Sequence, residues 1–344
     1  MAQIDKPNLH FTTTLYTGNG STNRAVTVGF QPDWIWCKER SQTESHMLHD
    51  VHMNAGDYIR TNTADGLSNS GEMFKSITAT GFTVGTRGEV NENSQTYVNW
   101  SWKGGGTPSA NNVGATASSV SVNTTSGFSV VKWTGTGSAT TLGHGLGATP
   151  EVIIIKNLTD SVNWMFFARS MIAPGATNKE FFELNATAGL QANGSATTFT
   201  STSNTTFGVG TDNKLNGSGD AMVAYVFAEK KGFSSFGRYT GNGNAKGPFI
   251  YTGFKPAWVL TKQQATRDWT LIDNTRSPFN AMDDRVVVNT STAEVTNNLT
   301  DFYSNGFKCR GTESNTNESG GTYLYFAFAE SPIVGTNDVP TTAR

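Results

Sequence analysis

Three short blocks recur in the same order three times along the chain, and this triplication constrains the fold more than any other feature. Tyr16-Thr17-Gly18-Asn19-Gly20-Ser21 returns as Trp133-Thr134-Gly135-Thr136-Gly137-Ser138 and as Tyr239-Thr240-Gly241-Asn242-Gly243-Asn244. Pro32-Asp33-Trp34-Ile35-Trp36-Cys37-Lys38 matches Pro150-Glu151-Val152-Ile153-Ile154-Ile155-Lys156 and Pro256-Ala257-Trp258-Val259-Leu260-Thr261-Lys262. Each copy closes on a third block: Val98-Asn99-Trp100-Ser101-Trp102-Lys103, Val223-Ala224-Tyr225-Val226-Phe227-Ala228 and Leu324-Tyr325-Phe326-Ala327-Phe328-Ala329. Copies of about 100 residues are large enough for a β-sandwich to stand alone. The expected division is an N-terminal arm (1–10), copy one (11–106), a Gly/Ser/Thr/Asn-rich linker (107–118), copy two (119–231), copy three (232–332) and a tail (333–344).

Each copy reads as strands. Under two-residue alternation Trp34, Trp36 and Lys38 share a face, with Ile35 and Cys37 opposite. Val98, Trp100 and Trp102 share a face of the closing block, as do Val223, Tyr225, Phe227 and Leu324, Phe326, Phe328, so that face is assigned to the core. The three prolines fit strand starts, where no ladder N–H is required. The Thr-Gly-x-Gly block fits a hairpin turn. Composition agrees: 37 glycines, 11% aromatic and only 15% charged residues describe an all-β chain with many turns. The same numbers exclude a disordered chain and a helical bundle. With 25 Lys+Arg against 27 Asp+Glu there is no basic surplus for nucleic acid. No apolar run reaches membrane-span length, and Met1–His10 lacks a secretory signal's apolar stretch, so synthesis in a cytoplasm is expected.

Candidate chemistry is sparse. His46, Asp50 and His52 on one strand face suggest a transition-metal site. Yet His46 aligns with Trp164 and Trp269, and Asp50 with Ala168 and Asp273, which favours a position for a large flat side chain. The oxygen-rich stretch between Asp212 and Asp220 would suit calcium, but its order is not an EF-hand and its Asn/Gly content favours a turn. Asn91 and Asn216 align there, with Asn317 displaced by one residue. Cys37 and Cys309 align with Ile155 and Thr261, and with Val84 and Val209, as small half-buried strand residues. Asp50, Asp57, Asp65, Glu72 and Glu89 of copy one show no pattern of a glycosidase pair. No phosphate loop, nucleophile elbow or zinc-protease helix is present, so neither catalysis nor a cofactor is expected. Tyr16, Trp133 and Tyr239 remain as ligand-binding candidates. Sitting beside the Gly-rich turns, they either stack a sugar ring or anchor the turn to the core.

The first two blocks of copy one, with Gly29-Phe30-Gln31 preceding Pro32, resemble a family of marine bacteriophage structural proteins. That family includes tail-fibre-like proteins of phages of marine cyanobacteria and other marine bacteria. Copy two resembles it through Thr134-Gly135-Thr136-Gly137 and His144-Gly145-Leu146-Gly147-Ala148-Thr149-Pro150. Copy three does so through Gly253-Phe254-Lys255-Pro256 and Tyr323 to Pro332, and the final Ala343-Arg344 also suits it. The resemblance implies three tandem jelly-roll, concanavalin-like β-sandwich units on a virion surface, synthesised in the host cytoplasm. Implied partners are other virion proteins and a host surface polysaccharide or receptor, without nucleic acid or membrane insertion. It also implies a homo-oligomer, with the trimer the common arrangement of phage fibres. Repeated weak sites would then gain from multivalency. Only about fifteen residues precede the first repeated block, fewer than a tail anchor requires. That leaves room for a capsid decoration or a fibre tip; a polysaccharide depolymerase is the third alternative.

Overall fold

The computed structural model describes residues 2–172, 180–191 and 198–335, so residues 336–344 of the expected tail lie outside it. Strand makes up 46% and helix 6%, the all-β class read from the sequence. Copy one forms a six-stranded antiparallel sheet in the order Phe11–Thr17, Thr96–Trp102, Trp34–Glu39, Met47–Asp50, Asp57–Arg60, Ser68–Asn69. A three-stranded sheet of Arg24–Thr27, Gly81–Val84 and Phe74–Thr78 covers one of its faces. Copy two repeats this order with Phe128–Thr134, Ala221–Phe227, Val152–Asn157, Met165–Ala168 and Phe182–Glu183. Its covering sheet is Thr140–Gly143, Thr206–Val209 and Phe199–Thr202. In copy three the two sheets run into one of eight strands, because Met282–Val287 pairs directly with Val295–Tyr303.

The stretch 107–118, expected as a flexible linker, is instead partly built into a sheet. Ser109–Asn111 pairs with Ser118–Asn123, which extends the edge of copy two's larger sheet beside Phe128–Thr134.

Strands such as Trp34-Ile35-Trp36-Cys37 are apolar on both faces, and both faces are buried. Ile35, Cys37, Met47 and Tyr97 pack against Val26, Phe82 and Val84 of the covering sheet, giving copy one a private core. Copies two and three have equivalent cores of their own. The face carrying Trp34, Trp36, Trp100 and Trp102 enters a different core, shared with Tyr225 and Phe227 of copy two and Trp258, Phe326 and Phe328 of copy three. The closing-strand residues are therefore buried as expected, but between copies rather than inside each one. Trp34 stacks on Tyr225 with centroids 4.6 Å apart, Phe227 meets Phe326 at 5.0 Å, and Trp102 meets Trp258 at 5.7 Å, so every pair of copies is in contact. Each large aromatic side chain so buried contributes on the order of 2–3 kcal/mol. The N-terminal arm joins this core through Ile4, and Gln3 N–H donates to the Lys231 carbonyl at 2.9 Å.

Candidate binding site

The positions singled out in the sequence hold the architecture. Tyr16 donates its hydroxyl to the Val90 carbonyl at 2.7 Å and stacks on Tyr97 with centroids 4.9 Å apart. Tyr239 does the same to Thr316, also at 2.7 Å, and stacks on Tyr323 at 4.9 Å. Trp133 points its indole N–H at Asn216 Oδ1, 3.4 Å away. All three rings thus pin the short helices Gly88–Asn91, Asn213–Asn216 and Ser314–Asn317. Trp133 and Tyr239 are buried and Tyr16 is half-buried under the Arg24 guanidinium, so none offers an open stacking face. Asn91, Asn216 and Asn317 occupy one equivalent position, the last residue of each helix. Each accepts from the turn's backbone N–H, of Asn19, Thr136 and Asn242, at 2.9 Å. Each amide also donates to a carbonyl of the turn and to one just before its own helix, for example Asn216 to Ser138 at 2.7 Å and to Gly210 at 3.3 Å.

The histidine cluster is equally committed. His46 accepts at Nδ1 from the Trp36 indole at 3.0 Å and donates from Nε2 to the Val287 carbonyl of copy three at 3.1 Å. Both ring nitrogens are thereby occupied in the neutral form, and burial holds its pKa well below the usual histidine value. Its counterparts act alike: Trp164 donates to Arg60 of copy one at 2.9 Å and Trp269 to Glu183 of copy two at 3.0 Å. Asp50 accepts from the Tyr225 hydroxyl at 2.7 Å and the His52 N–H at 2.8 Å. His52 Nε2 donates to the Ser119 carbonyl at 3.0 Å. Asp212 caps the helix through Lys214 N–H at 2.9 Å, and Asp220 accepts from Asn157 at 2.8 Å. Among the described residues no three His, Cys, Asp or Glu side chains stand together in a way that could hold a metal ion. The other carboxylates singled out in copy one are partnered: Asp57 by Asn54 and Asn69, Asp65 by Arg60, Glu72 by Lys75 and Glu89 by Arg87. Burial pushes the Cys37 and Cys309 thiols up to about 12, which makes them inert as nucleophiles at neutral pH.

The exposed chemistry lies where the copies differ. The strand Arg24–Thr27 places Ala25 and Thr27 outward; the equivalent positions of copy two are Thr141, half-buried, and Gly143, covered by Asn111. Copy three has Phe249 and Tyr251 at these positions, 46% and 64% exposed. Across the intervening Gly306–Cys309 lies Val295–Tyr303, where Tyr303 stands opposite Gly306 as Thr78 stands opposite Gly81 in copy one. Phe249 crosses to meet Tyr303 edge-on, with centroids 6.0 Å apart. A side chain at Gly306 would collide with the Ile250 carbonyl at 2.0 Å and meet the Phe249 ring at 3.0 Å. Polar groups border this aromatic face: the Tyr303 hydroxyl donates to Asp301 Oδ2 at 3.0 Å, and Arg310 Nε lies 3.2 Å from the same oxygen. Lys308 lies between Phe249 and Asp301 in register.

Two hollows adjoin the same copy. One, of about 320 Å³, is lined by Lys255, Asn274, Pro278, Phe279, Met282, Phe302 and Glu330. A corresponding cleft of about 280 Å³ in copy one has Gln31, Val51, Ala55 and Ile77 at the positions of Lys255, Asn274, Pro278 and Phe302. The second, of about 130 Å³, lies across Asn274 and Glu330 against Asn8 of the N-terminal arm and Thr12 and Thr13 of the first copy's edge.

Sequence reasoning missed this aromatic face because its strand carries none of the repeated blocks; the signal was an outward Ala or Thr becoming Phe or Tyr in one copy. A comparison with curated proteins finds no match. One family, described as a domain of unknown function (DUF7483), matches residues 6–332, all three copies and the core between them, and the chain belongs to that family.

Proposed function

We propose that this chain is a non-catalytic virion surface protein, a tail-fibre-like adhesin of three jelly-roll-type copies that contacts host glycans through the outer face of its third copy. The virion assignment rests on the resemblance of the repeated blocks. The binding assignment rests on one observation: Phe249, Tyr251 and Tyr303 are displayed together on an outward sheet face, in one copy of three. Exposed aromatic clusters rimmed by polar groups mark interaction sites. A pyranose offers an apolar C–H face to such rings and hydroxyls to the Asp301–Arg310 edge. Binding is therefore monovalent per chain, and the avidity expected of three repeated sites has to come from several chains.

Affinity electrophoresis through gels containing a β-glucan, a galactomannan, an α-glucan or alginate tests the glycan assignment. Retardation is expected in at least one neutral gel and is lost in Tyr251→Ala/Tyr303→Ala, both surface changes. Unretarded migration in every gel overturns it. Virions lacking the protein that adsorb normally would overturn the adhesin role. Capsid decoration is the second reading, favoured by the shared core, which makes one rigid block of three copies.

A further inference from the structure

We infer that the groove formed by the two hollows on either side of Asn274 and Glu330 is a second saccharide subsite, which takes two consecutive units of a neutral glycan. This inference rests on the glycan reading above and specifies where the hydroxyls are recognised. The two hollows share Asn274 and Glu330, so a ligand lying across them passes over one ridge with a ring on each side.

The ridge has an arrangement suited to neighbouring hydroxyls. Lys255 Nζ donates to Glu330 Oε2 at 2.6 Å and Asn274 Nδ2 donates to the same oxygen at 2.8 Å. Both bonds converge on Oε2, which leaves Glu330 Oε1 as an acceptor and the ammonium with two further N–H donors. Adjacent donor and acceptor match a vicinal diol, in which one hydroxyl donates to the carboxylate and its neighbour accepts from the ammonium. The pair is internally neutralised, so it does not call for an acidic sugar. Phe279, 82% exposed, stands at the rim of the larger hollow as a stacking surface, and Phe302 and Met282 line it from the interior side. In the smaller hollow Asn8, Thr12 and Thr13 supply the facing wall. Asn280, by contrast, is spent on the strand, exchanging two bonds of 2.8 Å with the Phe302 backbone. The equivalent cleft of copy one has Gln31 and Val51 in place of Lys255 and Asn274, and Gly104 aligns with Glu330, so copy one lacks the diol-reading set.

Saturation-transfer NMR on the full chain with lactose, maltose, cellobiose and glucuronate tests this. At least one neutral disaccharide should receive saturation. Its affinity should fall roughly tenfold or more in Glu330→Ala and in Asn274→Ala, from loss of hydrogen bonds to a charged group. Val113→Ala, 60% exposed and in neither the groove nor the aromatic face, should leave disaccharide binding unchanged. No transfer to any neutral disaccharide, a preference for glucuronate, or unchanged binding in both groove variants overturns the inference. The two readings separate cleanly. Polysaccharide retardation that persists while the disaccharides fail sinks the groove and leaves the adhesin face standing. Disaccharide binding without polysaccharide retardation sinks the aromatic face and leaves the groove.

Discussion

The hydroxyl of Tyr225 in the second copy donates to Oδ2 of Asp50 in the first at 2.7 Å, inside the core that the copies share. The equivalent positions pair Trp100 of the first copy with Asp273 of the third, indole N–H to Oδ2, at 3.0 Å. Phe326 and Ala168 occupy the third such pair, and neither has a polar atom in its side chain. Donor and acceptor are thus present together or absent together. Asp50→Ala alone should cost about 1–3 kcal/mol by leaving the Tyr225 hydroxyl without an acceptor, and Tyr225→Phe alone a comparable amount by stripping a buried carboxylate. The double variant, which reproduces the Ala168/Phe326 pair, should cost less than the sum by ~1–2 kcal/mol. Chemical denaturation of the four proteins measures the difference, and strict additivity would contradict the pairing.

The shared core makes the copies interdependent. A fragment of residues 11–106 would expose Trp34, Trp36, Trp100 and Trp102, all fully buried in the whole chain. Such a fragment should be aggregated or poorly ordered, with collapsed dispersion in its NMR spectrum. The full chain should unfold in one calorimetric transition rather than three. A soluble, well-dispersed fragment would show that the private core suffices.

Much of this was legible in the sequence. The triplicated blocks give the strands and the turns, and the alignment of His46 with Trp164 and Trp269 reveals a position reserved for a flat side chain; the short helices ending at Asn91, Asn216 and Asn317 read there only as turns. The reason lay outside the sequence: each ring reaches a backbone carbonyl of another copy. Alternation also says that Trp34 and Ile35 face opposite ways, but not which face is private and which is shared. Unbroken apolar runs such as Val152 to Ile155 mark a sheet covered on both sides, and that pattern was the available clue. The groove at Asn274 and Glu330 was invisible for another reason. It forms where copy three meets the first strand of copy one, residues some 260 positions apart along the chain.

The Gly-rich turn is held by one asparagine in every copy. Asn216 makes bonds to Thr136, Ser138 and Gly210, and Gly135 leaves no room for a side chain, since a Cβ would lie 1.9 Å from the Gly217 carbonyl. Asn216→Ala should cost about 2–4 kcal/mol, because several buried backbone groups lose their partner at once. Gly135→Ala should be at least as damaging, through backbone displacement. Thermal unfolding of both variants checks this, with Thr136→Ala as a milder comparison. A neutral Asn216→Ala would mean that the turn closes without it.

Three equivalent lysines give the protein an unusual alkaline response. Lys38, Lys156 and Lys262 are fully buried, with Nζ directed at loop carbonyls; Lys156 reaches Val162 at 2.9 Å and Ala64 of copy one at 3.0 Å. Burial lowers each to about 8, against roughly 10.4 in an unfolded chain. Between those values the native state sheds protons that the unfolded chain keeps, so stability rises with pH. Below about 8 both states are protonated, and the native state carries the full cost of three buried ammonium groups. Cys37 and Cys309 oppose the trend, because burial raises them to about 12 while unfolded thiols ionise near 8.5, so their contribution is lost as pH climbs past that point. The melting temperature should therefore rise from pH 7.5 to about 8.5 and climb less steeply toward pH 10. Cys37→Val/Cys309→Val, which puts at position 309 the valine that copies one and two already have there, should restore the steeper rise. Lys156→Met should flatten it. Calorimetry across that range measures all three slopes, and a melting temperature that falls steadily from pH 7.5 would show that the lysines remain charged in the native core throughout.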